Sequence, residues 1–326
     1  MKKTKDLITL ADLEAQDFID IFKQTNTLKS NLKSKKLIPG PLKGKTLGMI
    51  FEKPSTRTSI SFAVGMYQLG GLPLILSAQD LQLHRGESVA DTARVLSRYV
   101  DIIMIRANKH QSLVDMASQA NVPVINGLTE QEHPCQILAD IYTIAEKKLS
   151  QPAREINWEK LSFDEIKLTY VGDGNNIANT LMLASALLGF TLHIACPKGY
   201  EPDKNIYELA GKLASGKKGK IIIEHDPAHA VRGADVIYTD VWTSMGKEKE
   251  KEIRKTIFQP FQVNSKLVES SKNRDVIIMH CMPAHRGHEI TDEVIDSGHS
   301  VVFDQAENRL HVQKAIILNL LKNVIL

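Results

Sequence analysis

Ser55-Thr56-Arg57-Thr58 follows closely on an apolar run, "GMIF", that ends in Glu-Lys-Pro. Hydroxyls and a guanidinium therefore stand where a strand stops and a helix would start. Free N–H groups at a helix start carry partial positive charge, and an arginine fork grips two oxygens at once, so the stretch suits a phosphate-like anion. The same residues also fit an ordinary helix start, with Ser55 as cap and Arg57 in solvent. Arg106 closes a second apolar run, "DIIMI", as another anion ligand or as the partner of a structural carboxylate. "EHPCQ" follows a third such run, and Pro134 suits the first turn of a helix, which sets His133 and Gln136 at its N-terminus. His133 alone reads as a cap as readily as a catalyst. Three such strand ends on one edge argue for a site.

The second half offers different chemistry. "VGDGNN" has the opening of a nucleotide loop but lacks the third glycine of G-x-G-x-x-G. Its Asn175 and Asn176 are neutral donors and acceptors, better matched to an amino-acid carboxylate than to pyrophosphate. "DVWTSMG" brings Asp240 for a cation and Ser244 for a hydrogen bond, although Asp240 could equally cap the turn that follows. "HCMPAHRG" places the Cys281 thiol after another strand, where a small buried hydrophobe is the ordinary reading. One half thus collects cationic and hydroxyl groups for an anion, the other an acid and amides for an ammonium and a carboxylate. An enzyme joining a phosphorylated small molecule to an amino acid needs that division.

Elements must position these groups, and the chain's patterning supplies them. Apolar, β-branched runs alternate with amphipathic segments, the signature of parallel sheets covered by helices. Strands are expected at 46–51, 73–77, 101–106 and 122–126, with helices at 55–69, 88–99, 111–120 and 133–148. The rhythm breaks around Pro152 and resumes with strands at 167–171, 191–195, 220–224, 236–240 and 276–280. A last helix over 311–324, apolar on one face, needs a groove. The fold class is α/β: two doubly wound parallel-sheet domains, 1–149 and 150–326, with the site in the cleft between them and the final helix, about 311–326, packing back on the first. In such sheets ligands bind beyond the carboxyl ends of strands.

A length of 326 residues exceeds what a single core ordinarily supports. A net charge of +3, with basic residues scattered, gives no footprint for nucleic acid or an acidic membrane surface. The start, "MKKTKDLITLADLEAQDF", is broken by Asp6, Asp12 and Glu14 and does not read as a signal peptide; no stretch approaches a membrane span. Three widely spaced cysteines, Cys135, Cys196 and Cys281, lack paired metal spacing and fit a reducing cytoplasm.

"STRT", "HPCQ", "DVWTSMG" and "HCMPAHRG", in this order and spacing, resemble the aspartate/ornithine transcarbamylase family. "MYQLGG", "DTARVLSR", "PVINGL", "PKGYEP" and "FDQAENRLH" extend the likeness from near the N-terminus to the last helix. The "SMG" and "HC-x-P" elements resemble those of the branch that carbamoylates ornithine. The resemblance implies transfer of a carbamoyl group from carbamoyl phosphate to the δ-amine of L-ornithine, giving L-citrulline and phosphate, without metal or cofactor. It further implies that Ser55, Thr56, Arg57, Thr58, Gln82, Arg106, His133, Gln136 and Arg309 bind carbamoyl phosphate, together with Cys281 and Met282 on the loop beside the reacting amine. Gln82 matches a position that the family lends from a neighbouring subunit, so a homotrimer or a multiple of trimers is expected. Asn176, Asp240, Ser244 and Met245 match the ornithine binders; Arg106, His133, Asp240 and Cys281 carry the catalytic expectation. Ser59 stands where arginine is frequent and Met282 where leucine is usual. Alternatives are a transferase for another amine such as putrescine, a non-catalytic subunit on the same fold, and a nucleotide-binding dehydrogenase.

Overall fold

The computed structural model describes residues 5–34, 40–77, 81, 86–150, 156–243 and 247–325. The chain divides into two compact units: Met1–Tyr142 with Glu307–Leu326, and Thr143–Ala306.

The first unit opens with α1 (Ala15–Lys33), whose Phe18, Ile21, Phe22 and Leu28 recur at helical spacing and are buried. Its four-stranded parallel sheet comprises β1 (Thr46–Phe51), β2 (Leu72–Ser77), β3 (Ile102–Arg106) and β4 (Val124–Leu128), in the order β2-β1-β3-β4. Helices α2 (Thr56–Gln68), α3 (Val89–Leu96) and α4 (His110–Gln119) connect the strands, and α5 (Pro134–Ile144) follows the last. Apart from Thr46 at the start of β1 and Arg106 at the end of β3, these two strands are apolar because both faces are covered; Ile50, Ile103 and Ile105 join Ala93, Leu113 and Met116 in one core. The β4 edge is sealed by the N-terminal segment: Leu7 N–H donates to the Val124 carbonyl at 2.9 Å, and Asn126 N–H to Leu7 at 2.8 Å.

The second unit is a five-stranded parallel sheet, β5 (Lys167–Val171), β6 (Thr191–Ala195), β7 (Ile221–Glu224), β8 (Val236–Thr239) and β9 (Ile277–His280), in the order β7-β6-β5-β8-β9. Its helices are α6 (Asn176–Leu188), α7 (Lys204–Leu213), α8 (Pro227–Ala230), α9 (Lys251–Phe258), α10 (Ser265–Ser270) and α11 (Asp292–Ile295). The chain then enters α12 (Val302–Ile325), which starts nine residues before the expected 311 and whose residues from Glu307 onward belong to the first unit.

Strand order fixes where ligands can sit. In each sheet two neighbouring strands send their connections in opposite directions, leaving a gap beyond their carboxyl ends. In the first sheet those strands are β1 and β3, whose ends pair as Phe51 with Arg106. In the second they are β5 and β8, which lead into "GDGNN" and Asp240.

Candidate active site

In the first unit Ser55 stands before α2 in extended conformation, but its hydroxyl makes no capping bond, and no acidic residue occupies the first turn. The helix start is therefore not neutralised by its own side chains, the condition an incoming anion needs. Arg57 is half-buried there. Thr58, one residue on, is buried, and its Oγ1 accepts a bond from Arg309 of α12 at 2.9 Å. Arg106 sits at a register irregularity: Ile105 pairs with Asn126, but Arg106 with Leu128. Such a bulge re-aims the strand's last side chain.

His133 caps the entry to α5; its carbonyl accepts from the N–H groups of Gln136 and Ile137 at 3.1 and 3.2 Å. Its ring is buried, and burial, then the Arg309 and Arg106 guanidiniums, hold its pKa well below the ordinary histidine value. The imidazole is thus neutral near pH 7 and serves as a hydrogen-bonding group, not as a cation. Gln136 lies one turn into the helix with its amide on Asp140 Oδ1 at 2.8 Å. Cys135 points away from chemistry: its thiol donates to the Asn126 carbonyl at 3.4 Å, and burial pushes its pKa up to about 12. The structure accordingly brings together Thr58, Arg106, His133 and Arg309, from four separate stretches of chain.

In the second unit Gly174 is forced by a close approach: a Cβ there would lie 2.3 Å from the backbone of Glu201 and Pro202. The turn it permits sets Asn175 as cap of α6, its Oδ1 accepting from Ile177 and Ala178 N–H at 2.9 and 3.3 Å. Asn175 Nδ2 donates to Asp240 Oδ2 at 2.7 Å. Its amide is thereby committed to the fold, which corrects the reading of Asn175 as a carboxylate ligand; Asn176 is the first residue of the helix itself. Asp240 lies just past the end of β8, which stops at Thr239, one residue short of the strand expected from sequence. Its Oδ1 accepts from the Cys281 thiol at 2.9 Å and from Val241 N–H at 2.8 Å. Cys281 therefore touches the one acid in the cluster, so it is not merely a buried hydrophobe.

Met282 follows with a φ of 56°, a left-handed conformation that costs a non-glycine residue. His280 holds it: Nδ1 accepts from Met282 N–H at 2.9 Å, so Nε2 carries the proton shared with Glu289 Oε1 at 3.1 Å. Asp240, His280 and Cys281 bring an oxygen, a nitrogen and a sulfur within 4.8 Å of one another. Both imidazole nitrogens are engaged, however, so His280 offers no lone pair to a metal in this arrangement.

Sequence reasoning missed Arg254. It is 5 % exposed and joins both motifs of this unit: it donates to Trp242 carbonyl at 3.0 Å and to Asp173 Oδ2 at 2.8 Å. Glu250 accepts from its Nε at 2.8 Å, and Tyr200 lies under its guanidinium at 4.9 Å. In sequence it is one charge in the alternating run "GKEKEKEIRK", which reads as a solvated face. Gln82, Ser244 and Met245 lie outside the described residues.

Comparison with known proteins agrees over most of the chain. Residues 5–146 match the family described as "Aspartate/ornithine carbamoyltransferase, carbamoyl-P binding domain", and residues 164–320 its "Asp/Orn binding domain". The chain is similar to an ornithine carbamoyltransferase of Syntrophus aciditrophicus, 54% identical over 96% of this chain and 98% of that one. It is also similar to one of Pyrococcus furiosus named anabolic, 52% identical over 96% and 95%. A solved ornithine carbamoyltransferase structure from Pyrococcus furiosus superposes with a TM-score of 0.89, covering 96% of this chain and 95% of that chain at 52% identity.

Proposed function

The chain belongs to the aspartate/ornithine carbamoyltransferase family, and we propose that it carbamoylates the δ-amine of L-ornithine, giving L-citrulline and phosphate, in the biosynthetic direction. The observation that carries the carbamoyl phosphate half is the cluster in the first unit: a hydroxyl and two guanidiniums around an imidazole held neutral. The acceptor half rests on Asp240 with Cys281, and on relatives at 52–54% identity that are named for ornithine.

In this reading the phosphate of carbamoyl phosphate lies on the α2 N-terminus, held by Arg57, Ser55, Thr56 and Thr58. Arg106, His133, Gln136 and Arg309 hold the carbamoyl group. Asn176 and Asp240, with Ser244 and Met245, hold ornithine, and Asp240 takes its ammonium end. The δ-ammonium loses a proton and the free amine attacks the carbamoyl carbon, forming C–N. Negative charge grows on the carbonyl oxygen, where Arg106, Thr58 and His133 stabilise it as fixed donors. A neutral imidazole suits this task, because it donates a bond without surrendering a proton. The intermediate collapses as the C–O bond to phosphate breaks. A second amine proton leaves, and Arg57 and the helix dipole stabilise the departing dianion. Positioning of two substrates accounts for much of the acceleration.

The protein is further proposed to be a homo-oligomer, with Gln82 reaching a neighbour's site. What supports this is an apolar surface on the first unit: Ile60, Tyr67, Leu72 and Ile75 are each more than half exposed on α2 and the edge strand β2. An edge of that composition, exposed among the described residues, invites a partner. A monodisperse monomer in light scattering would overturn it. Cytoplasmic residence is proposed from three free cysteines, two of them buried; no described helix is long and apolar enough to cross a membrane.

The activity is tested by a citrulline colour assay on the purified, chelator-treated protein with carbamoyl phosphate and L-ornithine. Citrulline should form. Its absence from folded protein would refute the proposal.

A further inference from the structure

The second unit contains a cavity of about 210 Å³ that the proposed reaction does not use. It lies among Trp242, Lys251, Lys255, His285, His288 and Glu289. Its floor is buried: Glu289 is 0 % exposed and Trp242 3 %. Each presents a polar atom without a hydrogen-bond partner, Glu289 Oε2 and Trp242 Nε1. His285 Nδ1 stays 3.9 Å from that oxygen, beyond hydrogen-bond reach. Buried polar atoms are ordinarily paired, so an unpaired acceptor and an unpaired donor lining one cavity call for a ligand that completes both.

The charges narrow its class. Lys251 and Lys255 stand one turn apart on α9, exposed, and no ion pair to either is seen among the described residues. A plain anion would meet these lysines but face the Glu289 carboxylate. A plain cation would satisfy Glu289 but face the lysines. A zwitterion satisfies both, its ammonium on Glu289 Oε2 and its carboxylate toward the lysines and the Trp242 N–H. The indole is stacked on His288 and Phe258 at 13° and 28°, giving a flat apolar wall for aliphatic carbons. The volume lies below the range of drug-sized pockets, roughly 300–1,000 Å³, and restricts the ligand to a small one.

We propose that this cavity is a second small-molecule site, which binds an α-amino acid as its zwitterion. It is joined by hydrogen bonds to the loop that carries Cys281: the other oxygen of Glu289 holds His280, which precedes Cys281 and accepts from Met282 N–H. An occupant therefore touches the group that sets this loop.

Calorimetric binding of L-lysine, whose α-ammonium and α-carboxylate form the zwitterion and whose ε-ammonium adds a third charge, tests the assignment on the intact protein, with n-butylamine and butyrate as probes that carry an ammonium alone and a carboxylate alone. Asp240→Asn separates this site from the ornithine position. Because the readout is binding and not turnover, failure here is distinguishable from failure of the proposed reaction. Lysine should bind Asp240→Asn within about threefold of wild type. It should bind about tenfold more weakly to Trp242→Phe, which keeps the ring and removes the N–H, and to the double variant Lys251→Met, Lys255→Met. Butylamine and butyrate should each bind about tenfold more weakly than lysine. No lysine binding to wild type, binding that vanishes with Asp240→Asn, or either half-probe matching lysine would overturn the proposal.

Discussion

Glu132 precedes the proposed carbamoyl ligand His133 and is 1 % exposed. Its Oε2 accepts from Leu10 N–H at 3.2 Å, tying the N-terminal segment to the entry of α5. Burial raises its pKa from 4.5 to about 7, against a smaller opposing contribution from bonds with Thr9 and Leu10. For an acid so displaced, the folded protein binds a proton that the unfolded chain releases. Stability is therefore full below pH 4.5, falls as pH rises through 7, and stays reduced above it. At 1.36 kcal/mol per tenfold change, the ionised form costs about 3 kcal/mol. Glu132→Gln keeps an oxygen for Leu10 and removes the titration. Denaturant unfolding of both proteins at pH 5 and pH 8 should show little difference at the lower pH and a variant more stable by about 2–3 kcal/mol at the higher one. A pH-independent difference would refute the reasoning, since a simple change in packing does not titrate.

Arg57→Ala should cost on the order of 2–4 kcal/mol in kcat/KM, because phosphate gains charge as it leaves; wild-type turnover by the folded variant would disprove its role. Arg254→Met should raise the ornithine KM by about tenfold or more with little change in the carbamoyl phosphate KM, and Arg254→Lys should recover only part of it for want of the planar fork. Equal rises in both KM values would mark a general loss of structure. In a Cys135→Ala background, a thiol reagent should inactivate the enzyme, and carbamoyl phosphate with norvaline should protect it. Cys281→Ser should weaken ornithine handling, and unchanged ornithine kinetics would return Cys281 to a packing role.

Much of the fold was legible because parallel strands buried on both faces leave a plain sequence trace. β1, β5 and β6 occupy the stretches expected, 46–51, 167–171 and 191–195. β4 runs Val124–Leu128, not 122–126; Pro123 brings no N–H to a ladder, and the bulge opposite Arg106 carries pairing on to Leu128. The start of α12 was hidden for the opposite reason. Gln305 and Asn308 read as surface but are buried, as is Arg309, which only the family resemblance singled out; each is bonded to another part of the chain: Gln305 accepts from His280 N–H, Asn308 from Lys29, and Arg309 donates to Thr58. Polarity in sequence does not reveal a partner distant in the chain. The same limit hid Arg254 and Glu289, whose contacts come from tertiary packing. Asn175 could have been read correctly, since an asparagine directly before an apolar helical run is a cap signature.

The central claim is that one unit holds carbamoyl phosphate while Asp240 and its neighbours select the amine. The most direct test is the ratio of kcat/KM for L-ornithine to that for 5-aminovalerate, in wild type and in Asp240→Asn. 5-Aminovalerate has the reacting amine and the carboxylate but lacks the α-ammonium that Asp240 is proposed to take. Groups built to bind a polar anchor reject the analogue lacking it by about 10⁴-fold or more, so wild type should prefer ornithine by that order, and the preference should collapse in the variant. Comparable values for the two amines in wild type, or a preference that survives Asp240→Asn intact, would contradict the account.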